Sequence, residues 1–246
     1  MCGKGENMKT VVYCGTRNLY RDMIPAMKSL LDHTDVDEIV LCIEDDEFPF
    51  ELPKVARTVN VAEAGRTIFN PAGPNYNTQW TYMALVRVAL AKILTGREKV
   101  LSLDVDTIVA DDISPMWDIN LCGAYFAAVP EHKGIWHPYG PVYVNFGVCM
   151  MELGLLRESG AVDRIVKEIN TVRMQYNEQD AVNKLCGGKI LPLPVRYNDS
   201  FCCGYTDNPA IIHYAGFGDW QNNPATGRRE WLELYRSKPW SEIRYA

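Results

Sequence analysis

Asp104-Val105-Asp106 places two carboxylates one residue apart, directly after Lys99-Val-Leu-Ser-Leu103, a run that reads as a buried strand. Residues so spaced in an irregular turn can reach one divalent ion. Hard oxygen ligands suit magnesium or manganese, and such an ion could bridge the protein to a diphosphate. A bare Asp-x-Asp pair is also common as a solvated turn or helix cap; the apolar strand ahead of it is what argues for the ion. Arg87 falls in an expected helix, where an arginine is usually a solvated face residue, but its neighbours Val86, Val88 and Leu90 are apolar, so a partly buried, ligand-facing guanidinium fork is the other reading. Glu178, Gln179 and Asp180 stand in succession at an expected helix start. One carboxylate there would serve as a cap or dipole partner, but the three cannot all do so. His213 closes the apolar run Ile211-Ile212, as either a satisfied structural histidine or a neutral imidazole able to bind manganese.

These groups need elements to hold them. Lys9–Cys14 reads as a strand ended by Gly15, and Met23, Met27, Leu30 and Leu31 share one face of a helix over Arg21–His33. Strands follow at Glu38–Ile43 and, more weakly, Val55–Val61, with a Pro/Gly/Asn-rich loop over Asn70–Asn77. Met83, Val86, Leu90 and Leu94 predict one helix over Trp80–Thr95, stopped by Gly96. Further strands are expected near Ala124–Val129, Val142–Met151 and Ala210–Tyr214, and helices near Val162–Arg173 and Glu178–Leu185. This alternation is that of an α/β fold with a mostly parallel sheet flanked by helices. Such sheets bind ligands beyond the carboxyl ends of their strands, where the Gly15 and Asp104 loops lie.

Composition narrows the class. A 246-residue chain with 47% hydrophobic and 23% charged residues can bury one sizeable core. The formal charge of -6 disfavours broad attraction to nucleic acid or anionic lipid, so phosphate must be met locally. No run of eighteen apolar residues predicts a membrane span, and Met1–Met8 lacks the apolar stretch of a secretory signal, so the expectation is a cytoplasmic enzyme. The eight cysteines, including the vicinal Cys202-Cys203, form no Cys-x-x-Cys pair and are expected to be free thiols, mostly small buried hydrophobes.

The Asp104–Ile108 segment resembles the opening motif of haloacid-dehalogenase-type phosphotransferases, in which the first aspartate is a nucleophile, but at least three strands precede it and no downstream Gly-Asp-x-x-x-Asp cluster follows. A nucleotidyltransferase would need a glycine-rich basic loop after the first strand, and Cys14–Tyr20 has one glycine. Over roughly residues 9–240, the order and spacing of motifs is similar to that of the retaining glycosyltransferases of family eight, the group of glycogenin and bacterial lipooligosaccharide galactosyltransferases. The block from Lys99 through Asp104-Val105-Asp106 to Asp112-Ile-Ser-Pro-Met-Trp117 is its most specific part.

That resemblance implies a GT-A-type Rossmann-like fold with a small abutting acceptor subdomain. It makes residues 1–246 one domain, with a nucleotide-sugar half over 9–110 and an acceptor half over 111–246. It implies a UDP-sugar donor, glucose or galactose, and Mn²⁺ or Mg²⁺ held by Asp104, Asp106 and His213, with Val105 in the same donor-binding turn. In Gly15–Tyr20, Thr16 would hydrogen-bond the base and Tyr20 would stack on it. Arg87 would reach the donor sugar and phosphate, and Asn145, in Val144–Val148, a sugar hydroxyl. Gln179 would lie near the reacting carbon, Asp180 would bind sugar hydroxyls, and Glu178 would lie close by. Gly216 would let backbone approach the diphosphate. Asp219 stands where the family usually places a lysine, so Lys238, Arg228 or Arg229 would have to supply that charge. The loop Glu131–Tyr139 mixes aromatic and polar groups as carbohydrate-stacking surfaces do. The implied acceptor is a hydroxyl on a glycan, lipid-linked sugar, protein or small molecule; a non-catalytic nucleotide-sugar-binding module is the alternative.

Overall fold

A computed structural model describes residues 8–132, 139, 142–215 and 228–246. Gly216, Asp219 and the segment from Lys133 to Pro138 lie outside the described residues. The main sheet begins with β1 (Thr10–Cys14), β2 (Glu38–Ile43), β3 (Ala56–Asn60) and β4 (Lys99–Leu103), and continues with β6 (Phe126–Pro130), β7 (Val144–Glu152) and β8 (Ile190–Pro192). Their order is β3-β2-β1-β4-β7-β6-β8. β7 alone runs against the rest, antiparallel to both β4 and β6.

Every residue of β2 and β4 is buried, as expected of strands covered on both faces. Alternation sorts their side chains: Val11 and Tyr13 join one apolar cluster with Met23, Met27 and Leu30, whereas Val12 joins the opposite cluster with Met83, Val86 and Leu90. α1 (Tyr20–His33) therefore covers one face. α3 (Tyr82–Val88), together with α5 (Leu153–Ser159), α6 (Ala161–Thr171) and α7 (Asn177–Cys186), covers the other. β3 is an edge strand, and its residues are half-buried or exposed.

Several local expectations need correcting. The single helix over residues 80–95 is two, α3 and α4 (Leu90–Ile93), because at Ala89 the ladder tightens to a bond from Ala89 N–H to the Val86 carbonyl. α2 (Ala62–Ile68), α5, β8 and α8 (Arg229–Ser237) are additional to the elements expected. So is β5 (Thr107–Val109), which leaves the main sheet and pairs antiparallel with β9 (Ile211–His213), Thr107 opposite His213. The ladder continues past the strand ends, with Tyr214 N–H donating to the Asp106 carbonyl at 2.9 Å. Among the described residues, no helix is long and apolar enough to cross a membrane.

Candidate active site

The β5–β9 pairing brings residues over a hundred positions apart to one point. Asp104 follows β4, where its N–H donates to the Gly147 carbonyl of β7 at 2.8 Å and its own carbonyl accepts from Thr107 Oγ1 at 2.7 Å. Its side chain divides its work: Oδ1 pairs with Arg87, and Oδ2 lies 3.7 Å from His213 Nε2. Asp106 Oδ1 lies 3.4 Å from the same nitrogen. One ligand atom from each of the three residues falls within 4.8 Å of the others. Two carboxylates and an imidazole are a donor set that magnesium or manganese accepts, so these residues fit the ion the sequence pattern implies.

Room for this cluster depends on a missing methyl group. A Cβ on Gly147 would stand 2.2 Å from His213 Cε1 and 2.8 Å from Asp104 Oδ2. The glycine is required by space, since its φ is not among the positive ones. Burial opposes a charge on His213, but Asp106 and then Asp104 outweigh it and raise its pKa. Burial likewise acts against Asp106, yet His213 holds its carboxyl below the usual range, whereas for Asp104 burial prevails over Arg87 and the pKa rises. The pocket thus concentrates negative charge around one imidazole nitrogen and favours a cation there.

Arg87 is 7% exposed and does not offer an open fork. Its guanidinium pairs with Asp104 and with Glu178, donates to the Phe146 carbonyl at 3.0 Å and lies over the Phe146 ring; only Nε is left without a partner. Arg87 therefore ties α3 to the Asp104 turn and to α7. Burial raises the pKa of Glu178 in spite of Arg87.

At the start of α7, Gln179 donates from Nε2 to Glu131 at 2.9 Å and to the Tyr143 hydroxyl at 3.0 Å, while its Oε1 accepts from Phe146 N–H at 2.9 Å. Asp180 braces the turn that precedes α7. Its Oδ2 accepts from the Gln175 and Tyr176 N–H groups and Oδ1 from Tyr143, as a carboxylate reaching back over a helix start does. Asn145 is buried and donates to Glu131 at 3.1 Å. Glu131 itself, absent from the sequence-based site, joins Gln179 to Asn145; no motif surrounds it, only its place at the end of β6.

The remaining expected site residues have partners of their own. Tyr20 is 1% exposed, packs on Phe48, donates to Asp45 and accepts from Glu44 N–H. Thr16 is half-buried in the loop after β1 and donates to Asn18 at 2.5 Å. Val105 packs its side chain in the core against Gly15, leaving only backbone for a ligand. Lys238 pairs with Asp32 at 2.5 Å. Asp32 lies in the last turn of α1, so the pairing ties the chain's carboxyl-terminal segment to that helix. Arg228 pairs with Asp199 and Arg229 with Glu233.

A cavity of about 360 Å³ is lined by Thr78, Gln79, Trp80, Arg173, Met174 and Gln175. Asn177, which immediately precedes Glu178, takes a left-handed φ of 46° and donates to Thr78 of its lining at 2.8 Å.

The model of glycosyl transferase family 8 matches residues 10–223 of this chain. The chain belongs to glycosyl transferase family 8. This family 8 chain is 26% identical over 267 residues to glycosyltransferase GlyF of Streptococcus pneumoniae, covering 97% of itself and 64% of that protein. It is 25% identical over 264 residues to glycosyltransferase GlyD of the same organism, covering 96% of itself and 31% of that protein. It thus spans less than two thirds of either relative. Among solved structures, the galactosyltransferase LgtC in complex with donor and acceptor sugar analogues matches with a TM-score of 0.73 at 18% identity, covering 94% of this chain and 98% of the other. GlyE of Streptococcus pneumoniae matches with a TM-score of 0.70 at 19% identity, covering 96% of this chain and 62% of that one. The fold is that of these solved glycosyltransferases, and the family match stands against the phosphotransferase and nucleotidyltransferase readings.

Proposed function

We propose that this glycosyltransferase moves a hexose, glucose or galactose, from a UDP-sugar to an acceptor hydroxyl with retention of anomeric configuration. Mn²⁺ or Mg²⁺ would be held by Asp104, Asp106 and His213. The observation that carries the proposal is the convergence of two carboxylates and one imidazole nitrogen at the carboxyl end of β4, where α/β sheets bind ligands. When bound, the ion supplies electrostatic stabilisation of the departing diphosphate.

The side chains favour front-face attack. Gln179 is an amide whose hydrogens are both donated and whose oxygen already accepts a backbone N–H. Glu178 is held by Arg87, and Asp180 accepts three hydrogen bonds. None is a free carboxylate nucleophile of the kind retaining glycosidases use. The bond from the sugar carbon to the phosphate oxygen breaks, the bond to the acceptor oxygen forms on the same face, and the leaving phosphate oxygen takes the hydroxyl proton.

We assign donor binding to residues 9–110 with His213, and acceptor binding to the Trp80–Gln175 cavity within reach of the 111–246 half. Trp80, 5.7 Å from the Tyr176 ring, offers a sugar-stacking face beside Arg173 and two amides. The capture of LgtC with donor and acceptor sugar analogues supports a two-substrate cleft in this fold. Calorimetry with UDP, with and without Mn²⁺, followed by a donor-hydrolysis screen, tests the proposal. Metal-dependent UDP binding with turnover of a UDP-hexose is expected; absence of both refutes it. A product of inverted configuration by NMR removes the retaining assignment.

A further inference from the structure

Asn198 is fully buried, fifteen residues before His213 and outside every motif considered above. Its backbone is held from both sides. Its N–H donates to the Val195 carbonyl at 2.9 Å, and the neighbouring Asp199 pairs with β9 by accepting from His213 N–H and donating to the Ile211 carbonyl. Its side chain lies between two amphoteric partners, with Oδ1 2.9 Å from His213 Nδ1 and Nδ2 2.9 Å from Asn145 Oδ1.

An amide or an imidazole taken alone can be turned either way, so its donor and acceptor roles must come from groups that cannot change theirs. Two such groups close this network. Gly147 N–H, which can only donate, points to Asn145 Oδ1 at 3.0 Å, and the Glu131 carboxylate, which accepts, takes Asn145 Nδ2 at 3.1 Å. Asn145 therefore has one orientation, with its oxygen toward Asn198. Asn198 must answer with its NH₂, which leaves its own oxygen facing His213. An amide oxygen only accepts, so His213 Nδ1 carries the proton. In the neutral ring the lone pair is then on Nε2, the nitrogen 3.4 Å from Asp106 and 3.7 Å from Asp104.

We propose that Asn198 is a positioning residue that, oriented by Asn145 and Glu131, commits His213 to the Nδ1–H tautomer and reserves Nε2 for a divalent cation. This assignment rests on the metal reading above. A histidine ligand whose far nitrogen donates to a fixed oxygen holds its ring angle and tautomer, and loss of such a partner typically weakens metal binding 10- to 100-fold.

The test measures Mn²⁺ affinity of the full chain with UDP, from the free-ion electron paramagnetic resonance signal. Asn198→Leu removes the acceptor and is expected to weaken binding about 10- to 100-fold. A folded Asn198→Leu protein with wild-type affinity overturns the proposal. If the leucine variant does not fold, the spectra of the wild-type protein still decide. A second measurement needs no variant: long-range ¹H–¹⁵N spectra of the wild-type protein with Mg²⁺ should show His213 protonated at Nδ1 and bare at Nε2, and the opposite pattern refutes the idea. Wild-type protein that binds neither Mn²⁺ nor Mg²⁺ overturns the metal reading and this assignment together. Wild-type binding with an unaffected leucine variant overturns this assignment alone.

Discussion

Gly147→Ala adds one methyl group at the most crowded point of the cluster, and its effect can be worked from the geometry. The new carbon would lie 2.2 Å from His213 Cε1, while an unstrained carbon contact is about 3.5 Å, so roughly 1.3 Å of retreat is needed. Little is available. His213 is 5% exposed, its Nδ1 is held by Asn198, and its backbone belongs to β9. Gly147 lies on β7 between Arg87's partner Phe146 and the pairing of Leu103 with Val148. Metal sites tolerate ligand displacements of only about 0.2 Å, so a shift of this size should weaken Mn²⁺ binding at least 10- to 100-fold, as loss of a supporting contact does. Overpacking should also lower stability by about 1–3 kcal/mol, a fall in Tm of roughly 2–12 °C for a chain of this length. Paramagnetic resonance titration of Mn²⁺ in the presence of UDP, with a thermal melt in the same buffer, reads both effects. A folded Gly147→Ala protein that binds Mn²⁺ like wild type would show that His213 is free to move or is no ligand.

Asp104→Asn with Asp106→Asn should leave the fold intact and reduce UDP-sugar hydrolysis and transfer by at least about 10²- to 10³-fold, the scale of losing one strong electrostatic contact in a transition state; undiminished turnover contradicts the assigned role. Arg87→Met leaves Glu178 and Asp104 without their shared counter-charge in a buried setting, and breaking such a pairing destabilises by about 3–5 kcal/mol. Chemical denaturation should report that loss, and an unchanged midpoint would mean that water or a neighbour replaces the guanidinium. At the start of β2, burial acts to raise the pKa of Glu38, but Arg97 and Arg57 outweigh it and hold the carboxyl below its usual range. Its contribution to stability is therefore present above the unfolded-state pKa of about 4.3 and is lost as pH falls through the lower folded-state value. The Tm gap between wild type and Glu38→Gln should be widest near neutral pH and close in acid, and a gap constant with pH contradicts this.

Much of this molecule is written in short-range pattern. The apolar runs of β1, β2 and β4 announce buried strands, and the spacing of Met23, Met27, Leu30 and Leu31 announces α1, because side-chain period depends only on backbone geometry. Asp104 and Asp106 were legible for the same reason, as carboxylates at the end of a strand that must be buried. The three-residue strand β5 was not, since nothing within so short a run distinguishes a strand from a turn, and the pairing of the expected strand β9 with it was not legible either. Sequence alone also could not place Arg87 between two carboxylates or Tyr20 against Phe48. Tertiary structure decided what stands around His213: β9 pairs with β5, Gly147 leaves the space, and Asn198 approaches from a separate turn. Each of these depends on which distant segments meet and at what register, and that is set by packing of the whole sheet rather than by any local run of residues.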